Sequence, residues 1–390
     1  MGLQMQTPPA RDRGHGGQAR RTFTHTPRTR LRRITLLACL MALAFALISF
    51  AGTMLSPSNT TFSIRAVEWL RSHGGAGLVS TVENVYYSLN APSKGGPGLK
   101  ALPPVGVAVS GEHAKVHPYQ PPRIRPLSYP ALAGEGVWHA ARPGVSYPPL
   151  LITTFRSDPT EYPRLVAGVA WIDPHRTKIT LYPGREQPSV ELPSRGPMEV
   201  PPALRSGLLA TFNSAFKLED SNGGFAYQGH TYVPMRDGQA TFVQRAGGEV
   251  NIEAWSGGAA APSKVVFARQ NLPLIVENGK PNPLLNDSAE WGATLGNTVQ
   301  VWRSGIGIDK HGDLIYAQAN DQTAASLAQI LIHAGAVRAM ELDINSYWVS
   351  FNTYGAPGGR EPIKLLAGTE RPATRYLEPD DRDFFAVFER

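Results

Sequence analysis

Two acidic residues, one position apart, end a predicted buried strand and are the first candidates for chemistry. The stretch AVRAMELDINSYWVSF, residues 336–351, begins with alternating apolar residues and then carries Glu341 and Asp343. Because side chains alternate along a strand, both carboxylates should point to one face, about 6.5–7 Å apart along the chain. A carboxylate in this position can act as an acid, a base or a nucleophile, or can hold a sugar hydroxyl group.

This pair could supply the two carboxyl groups of glycosidic bond cleavage, or one of them could act with a group elsewhere in the chain. Such cleavage typically uses two carboxyl groups, about 5–5.5 Å apart for retention of configuration and about 6.5–9.5 Å apart for inversion. The residues that follow would add hydrogen-bonding groups and an apolar wall, namely Asn345, Ser346, Tyr347 and Trp348. The alternative is a structural strand end, in which the carboxylates accept hydrogen bonds from backbone amides or pair with Arg338.

The residues before this strand predict a helix that turns tightly into it. Thr323 suits the N-cap position, and Gly335 suits the position just after the helix. Between them, apolar residues recur at the i, i+3, i+4 and i+7 positions, at Leu327, Ile330, Leu331 and Ala334. A strand held by a packed helix is a rigid support, and the carboxyl end of such a strand is a usual place for ligand chemistry.

The chain from residue 131 to residue 390 has the pattern of one strand-rich domain. Residues 208–216 predict a short buried strand that ends at a polar residue. Residues 165–184 and 299–318 each predict a hairpin, and residues 231–255 predict a meander with Asp-Gly and Gly-Gly turns. The predicted fold class is therefore α+β, a strand-rich mixed α/β domain over residues 131–390.

The N-terminal part predicts a membrane anchor followed by a tether. Residues 34–55 form an uncharged run of 22 residues, long enough to cross about 30 Å of hydrocarbon. Residues 1–33 carry the flanking arginines, which predicts that they stay in the cytoplasm and that the large domain lies outside the plasma membrane. A cleaved signal peptide and a lipoprotein signal are the alternatives to this single-pass anchor. Residues 56–90 predict a helical stalk broken at Gly74–Gly75, and residues 91–130, with nine Pro, predict an extended linker.

The charge distribution argues against a nucleic-acid partner. The net charge is +7, but residues 1–33 alone hold eight Arg and one Asp. The 38 basic residues less those eight leave 30, and the 31 acidic residues less that one also leave 30, so the remaining chain is neutral. Cys39 is the only cysteine and lies in the apolar run, which excludes a disulfide, a thiolate metal site and cysteine catalysis elsewhere. No histidine pair has zinc spacing, so no metal is predicted, and the sequence leaves any cofactor open.

Three stretches, in this order, resemble the phosphodiester glycosidase family: LATFNSAF with NGGF, then VWRSGIGIDKHGDL, then SLAQILIHAGAVRAMELD. The resemblance covers roughly residues 150–390 and implies an enzyme of the uncovering type, which removes N-acetylglucosamine from a phosphodiester. It places Asp343 on the family's Asp and Arg303 on its Arg. Asn213 holds the family's strand-end Asn position, with Asn222 of NGGF as a rival.

One departure from the family concerns the Gly-rich turn that follows its Asp. Here side chains replace those glycines, at Ile344, Asn345, Ser346 and Tyr347. Glycine permits close backbone approach and positive φ, so the replacement predicts a narrower pocket or a different ligand.

Two functions therefore follow from the resemblance. The first is a membrane-anchored, extracytoplasmic hydrolase that cleaves a sugar-phosphodiester or a related glycosidic bond in envelope glycans. Its predicted catalytic residues are Asp343 and Glu341, and its predicted substrate-binding residues are Asn213, Arg303, Asn345, Ser346 and Trp348. The second is a non-catalytic glycan-binding or envelope-assembly module on the same fold. In both, the partner is a glycan or a sugar phosphate.

Overall fold

The computed structural model describes residues 27–108, 118–286, 291 and 300–390. The first 26 residues of the predicted Arg-rich tail and residues 109–117 of the predicted linker therefore lie outside the described residues. The chain divides into two compact units, Met1–Ser56 and Pro57–Arg390.

The first unit contains one long apolar helix, α1, which runs over Pro27–Leu55. Its segment Arg30–Leu55 has 26 residues and contains an 18-residue stretch with a mean hydropathy of 2.5. This length and composition suffice to cross a membrane, and a helix of this kind near the N-terminus fits a signal sequence or an anchor.

The second unit begins with two helices. Helix α2 covers Phe62–Leu70, a π-helical turn covers Arg71–Gly75, and helix α3 covers Ala76–Leu89. Gly74 has a φ of +89°, a conformation that favours glycine, so the predicted break at this position is confirmed. Two further helices follow, α4 at Leu218–Ser221 and α5 at Ala324–His333.

The described strands form three antiparallel sheets. In chain order they are β1 Val107–Ala108, β2 His139–Ala140, β3 Leu150–Asp158, β4 Tyr162–Ile172, β5 Thr177–Tyr182, β6 Leu208–Asn213, β7 Phe225–Tyr227, β8 His230–Val233, β9 Gln239–Arg245, β10 Val250–Ala254, β11 Val265–Pro273, β12 Val276–Glu277, β13 Lys280–Pro281, β14 Val301–Ile308, β15 Leu314–Gln322, β16 Arg338–Glu341, β17 Phe351–Ala356, β18 Arg360–Lys364 and β19 Phe384–Glu389. The largest sheet has the order β1-β2-β3-β4-β15-β14-β16-β12-β13. The other two have the orders β10-β9-β11-β7-β8 and β18-β17-β6-β19-β5. The mixed α+β class predicted from the sequence agrees with this architecture.

The predicted hairpins have different outcomes. Strands β14 and β15 pair directly, which confirms the hairpin of residues 299–318. In the predicted meander, β9 pairs with β10, whereas β8 pairs with β7. The predicted hairpin of residues 165–184 is wrong, because β5 crosses to another sheet and pairs with β19. Strand β4 already has β3 and β15 as neighbours, so it has no free edge for β5.

One hydrophobic core joins the inner faces of the three sheets. Ile172 of the largest sheet, Phe242 of the second and Phe212 of the third all belong to it. The opposite face of the largest sheet packs against α5 through residues such as Leu327 and Leu331. Burial of this kind stabilises a protein by about 25 cal/mol per Å² of apolar surface.

Helix α5 ends as predicted and leads into β16. The Thr323 hydroxyl accepts from the Ser326 N–H at 3.1 Å, and the Ser326 hydroxyl accepts from the Thr323 N–H at 2.9 Å, which forms a capping box. Gly335 follows with a φ of +106°. The strand is shorter than predicted, because β16 ends at Glu341 and the chain then leaves the sheet.

Candidate functional site

The loop after β16 is held to β14 by backbone hydrogen bonds on both sides of Ser304. The Leu342 N–H donates to the Ser304 carbonyl at 2.8 Å, and the Ser304 N–H donates to the Asp343 carbonyl at 2.9 Å. Strand β14 therefore fixes the backbone as far as Asp343, although regular pairing stops at Glu341 opposite Gly305.

Glu341 lies in an interior ion pair. Its Oε1 accepts from Arg303 Nη1 at 2.5 Å, and neither side chain is exposed. Arg303 Nε also donates to the Gln322 carbonyl at 2.8 Å. Burial raises the pKa of Glu341, and the adjacent Arg303 opposes that shift. The contact links β14, β15 and β16, which is what a structural ion pair in a sheet does.

Asp343 has a different arginine partner. Its Oδ2 accepts from Arg382 Nη2 at 3.2 Å, and its Oδ1 accepts from the Asn345 N–H at 3.0 Å. The side chains of Asp343 and Arg382 are 6% and 8% exposed. Burial raises the pKa of Asp343, and this shift is opposed by Arg382, by two backbone N–H groups and by Arg375. The two carboxylates that the sequence places side by side are thus held by separate arginines.

The predicted alternative, in which Glu341 or Asp343 pairs with Arg338, does not match the contacts of Arg338. Arg338 Nε donates to the Ile252 carbonyl, and its Nη2 donates to Asn251 Oδ1, both at 2.8 Å. This arginine therefore joins β16 to β10, on a different sheet, and the acidic pair finds its cations elsewhere.

Asn213 positions the Asp343 loop through Ser304. Its amide nitrogen donates to Ser304 Oγ at 3.0 Å, and its amide oxygen accepts from the Tyr316 hydroxyl at 2.9 Å and the Ser350 N–H at 3.0 Å. Ser304 Oγ in turn accepts from the Asp343 N–H at 3.2 Å. A buried amide that uses both its donor and its acceptor groups fixes its neighbours firmly.

The rival position, Asn222, lies outside this network. It adopts the left-handed conformation with a φ of +52° after α4, and its side-chain oxygen accepts from Arg236 Nη2 at 2.7 Å. The two glycines that follow pack against β11, because a Cβ on Gly224 would lie 2.8 Å from the side-chain oxygen of Gln270. The contacts give NGGF a packing role and leave Asn213 beside the loop.

Asn345 and Ser346 shape the loop. Asn345 Oδ1 accepts from the Tyr347 N–H at 2.9 Å, which is an Asx turn. Ser346 Oγ donates to Glu370 Oε1 at 2.5 Å. These side chains therefore already have protein partners at the position where the family has bare glycine backbone.

Trp348 is surrounded by guanidinium groups. The Arg382 and Arg375 groups lie 4.8 Å and 5.1 Å from its ring centre, and the Arg371 group lies 6.0 Å away. Asp380 accepts from Arg375 Nε at 2.8 Å and from Arg375 Nη2 at 2.9 Å. The ring of Trp348, which the sequence predicts to bind substrate, therefore lies within cation–π distance of three arginines.

Sequence reasoning missed these cations. Arg371, Arg375 and Arg382 belong to the stretch RPATRYLEPDDRD, residues 371–383, in which seven of thirteen residues are charged. That density is the signal that could have found them. Lys217 is a further cation near Asp343, and burial lowers its pKa, with Arg382 acting in the same direction.

The start of the second unit covers this loop. The hydroxyl groups of Ser58 and Thr60 both donate to Asp381 Oδ2 at 2.5 Å. The Thr61 N–H donates to the Tyr347 hydroxyl at 3.0 Å. Asp343, in the same loop, is 4% exposed.

A second contact of the cover comes from helices α2 and α3. Glu68 forms an ion pair with Lys217. Tyr87 packs against a small apolar cluster formed by Phe216, Val301 and Ile344. Within the described residues, no group of three or more His, Cys, Asp or Glu side chains is placed to hold a metal ion.

Comparison with known proteins agrees with the resemblance seen in the sequence. Residues 206–343 match the phosphodiester glycosidase family. The chain therefore contains a phosphodiester glycosidase family domain, and this match ends at Asp343. No protein of curated function matches the chain significantly.

Three of the solved structures that match the chain have low sequence identity and low TM-scores. The catalytic domain of zebrafish N-acetylglucosamine-1-phosphodiester alpha-N-acetylglucosaminidase, auto-inhibited by its pro-peptide, is 16% identical, with a TM-score of 0.39 over 65% of this chain and 87% of that chain. A hypothetical protein from Synechocystis is 14% identical, with a TM-score of 0.31 over 58% of this chain and 59% of that chain. An exported-protein candidate from Burkholderia pseudomallei K96243 is 10% identical, with a TM-score of 0.29 over 57% of this chain and 74% of that chain.

Proposed function

We propose that this chain is a membrane-anchored, extracytoplasmic hydrolase that releases a sugar from a phosphodiester, or cleaves a related glycosidic bond, in envelope glycans. The family match at residues 206–343 supports the class of reaction. The observation that carries the proposal is the buried carboxylate of Asp343, which contacts Arg382 and lies near the charges of Arg375 and Lys217. A carboxylate suits the anomeric carbon of a sugar, and the cations suit its phosphate.

In the proposed reaction, the bond between the anomeric carbon and the phosphate oxygen breaks. The phosphate leaves with the bonding electron pair as a monoester, and water supplies the new hydroxyl group of the sugar. The remaining proton of that water passes to the phosphate or to solvent. Asp343 either attacks the carbon first, as in retaining enzymes, and is freed when water hydrolyses the resulting bond between Asp343 and the sugar, or it takes the proton from the attacking water, as in inverting enzymes.

A phosphate leaving group changes what the site must provide. A phosphate monoester has a second pKa of about 6, so it departs as an anion without full protonation by a carboxylic acid. In this proposal Arg382 and Lys217 stabilise that developing negative charge electrostatically, which their positions near Asp343 support. One carboxylate with cations beside it therefore fits this substrate better than it fits an ordinary glycoside.

Three of the predicted site residues favour positioning roles by their contacts. Glu341 and Arg303 neutralise each other inside the sheet, and Asn213 holds Ser304. The role of Glu341 as second catalytic carboxylate stays a prediction. Its contacts indicate that it orients β16, and through it the Asp343 loop.

A glycan-binding module without catalysis is the second candidate. It is favoured by the side chains of Asn345 and Ser346, which form hydrogen bonds within the protein at positions where the family resemblance implies glycine.

The experiment that separates the two uses the full chain in detergent micelles with a panel of sugar-1-phosphodiesters. We expect release of free sugar by the unmodified chain and loss of release in Asp343→Asn. Asp321→Asn is the matched control, because it removes the charge of a half-buried carboxylate in the second unit. An unmodified chain that binds glycan but releases no sugar, with equal binding by Asp343→Asn, would favour the binding module.

The proposed topology has its own test. Protease added to intact cells should digest the domain of residues 57–390 and leave a small membrane-bound fragment. The reason is that the arginines cluster on the N-terminal side of the apolar run, which predicts that this side stays in the cytoplasm. Full protection of the domain in sealed cells would contradict an extracytoplasmic location.

A further inference from the structure

The outer surface of the α2–α3 hairpin is apolar. Eight large apolar side chains on these two helices are between 37% and 81% exposed: Phe62, Val67, Leu70, Leu78, Val82, Val85, Tyr86 and Leu89. A soluble surface normally scatters such residues singly, and a contiguous group of them marks an interaction site.

Helix α3 concentrates these residues on one side. Leu78, Val82, Val85 and Leu89 are spaced so that, at 3.6 residues per turn, they lie within about 60° of one another around the helix. Val82 is 59% exposed and Leu89 is 81% exposed. The other exposed residues of α3 are uncharged, so the exposed side of the helix carries no charge.

The charged residues of the hairpin pair with one another or lie near charged residues of the domain. In α3 the single charged residue, Glu83, pairs with Arg71 at 2.6 Å, and their side chains are 23% and 19% exposed. In α2, Glu68 pairs with Lys217 of the domain. Arg65 lies near enough to the carboxyl group of Glu186 to oppose the rise of its pKa. This is the reverse of an ordinary surface helix, which buries its apolar side.

The hairpin is fixed in this orientation. Val79 of α3 is buried, and Tyr87 packs on the cluster of Phe216, Val301 and Ile344. Turning the apolar side inward would break these contacts and leave the ion pairs in solvent. The exposed apolar side therefore needs an external partner.

Chain length identifies that partner as lipid. Helix α1 ends at Leu55 and α2 begins at Phe62, so only residues 56–61 connect the apolar helix to the hairpin. Six residues span at most about 20–22 Å. If α1 crosses the bilayer, the hairpin starts within that distance of its surface. An amphipathic helix at that distance, whose exposed side is apolar and carries an aromatic residue, can lie in the head-group region with that side toward the acyl chains.

We propose that the α2–α3 hairpin lies on the membrane surface, with Leu78, Val82, Val85 and Leu89 inserted among lipid head groups and upper acyl chains. This inference rests on the anchor in the proposed function and extends it from a tether to a docked domain. Because Tyr87 of the same hairpin packs beside Ile344, docking holds the Asp343 loop close to the lipid surface.

The test uses the full chain in phosphatidylcholine–phosphatidylglycerol vesicles, with Cys39→Ser as the background. An environment-sensitive fluorophore is attached to Val82→Cys, and the matched control is Ser263→Cys on an exposed turn of the domain. We expect quenching of the residue-82 label by brominated lipid and protection of it from aqueous iodide, with the opposite pattern at residue 263. Equal access of iodide to both labels would overturn the proposal.

Two further measurements make the outcome specific. Val85→Asp with Leu89→Asp should remove the quenching by brominated lipid while tryptophan fluorescence of the domain stays unchanged. A second copy as occupant would instead give protection from iodide without lipid quenching, together with disulfide cross-linking between residue-82 cysteines. The anchor is tested by washing the vesicles with alkaline carbonate, and release of the chain would refute it. Docking is measured separately, from the quenching of the residue-82 label before that wash.

Discussion

Replacing Asp343 with Asn tests whether this carboxylate performs chemistry or only holds its loop. The substitution keeps the side-chain shape and the hydrogen bond from the Asn345 N–H at 3.0 Å, and it removes the charge that meets Arg382 at 3.2 Å. Removing one member of a buried ion pair costs about 3–5 kcal/mol when the other is left unpaired. Arg382 keeps its contact with the Trp348 ring at 4.8 Å, and an Asn oxygen can still accept from it. We therefore expect a smaller loss, about 1–3 kcal/mol.

Leu342→Asp is the structural control for that variant. Leu342 is 1% exposed in the core shared by the three sheets. The substitution removes apolar contacts worth about 2–5 kcal/mol. It also buries an unpaired carboxylate, which costs several kcal/mol more. Because a domain typically has about 5–15 kcal/mol of stability, this variant should be unfolded or close to it.

Urea unfolding of the full chain in detergent micelles, followed by tryptophan fluorescence, measures both losses. Hydrolysis of a sugar-1-phosphodiester measures activity on the same preparations. The expected result is an Asp343→Asn chain that stays folded and has lost turnover. The reasoning is refuted if Asp343→Asn unfolds at as low a urea concentration as Leu342→Asp, or if turnover survives the substitution.

Three other predictions concern stability. Arg303→Met leaves the Glu341 carboxylate buried without its partner and should lower the free energy of unfolding in urea by about 3–5 kcal/mol. The double variant with Glu341→Leu should recover part of this loss. No recovery would argue against a stabilising role for the Arg303–Glu341 ion pair. Burial and two neighbouring aspartates raise the pKa of Asp313 to about 7. Since the unfolded value is about 3.9, the folded state holds the proton more tightly, and stability should fall as pH rises from about 4 to about 7; thermal unfolding over that range should lose this slope in Asp313→Asn, and an unchanged slope would contradict the assignment. Gly224→Ala places a Cβ 2.5 Å from a backbone Cα and should lower the urea midpoint by an equivalent of about 1–3 kcal/mol or more, whereas Gly77→Ala, with open space around it, should not; equal midpoints would count against the packing role of NGGF.

Local features of this protein could be predicted from its sequence because neighbouring residues decide them. The apolar run at residues 34–55, the cap of α5 at Thr323 and the positive φ of Gly335 all follow from residue type and periodicity. The family match at residues 206–343 confirmed the resemblance carried by the ordered motifs. The importance of Asp343 for function came from the same source and stays a prediction.

The partners of the acidic residues were decided by the tertiary structure. Arg382 is 39 residues from Asp343 in the chain. It lies just before β19, which pairs with β6 in a different sheet from β16, so the contact between Arg382 and Asp343 joins two sheets. Alternation placed Glu341 and Asp343 on one face, but the strand ends between them and each meets its own arginine.

The sequence was also insufficient to predict the partners of strand β5 and of the α2–α3 helical hairpin. Periodicity shows that a segment is a strand or a helix, and it cannot show which edge is still free or which side of a helix finds a partner. The edge is decided by the strands that already pair with β4, which sends β5 to β19. For α3, Glu83 turns inward to Arg71 and leaves Val82 outside, because a charge leaves water only where an opposite charge compensates it.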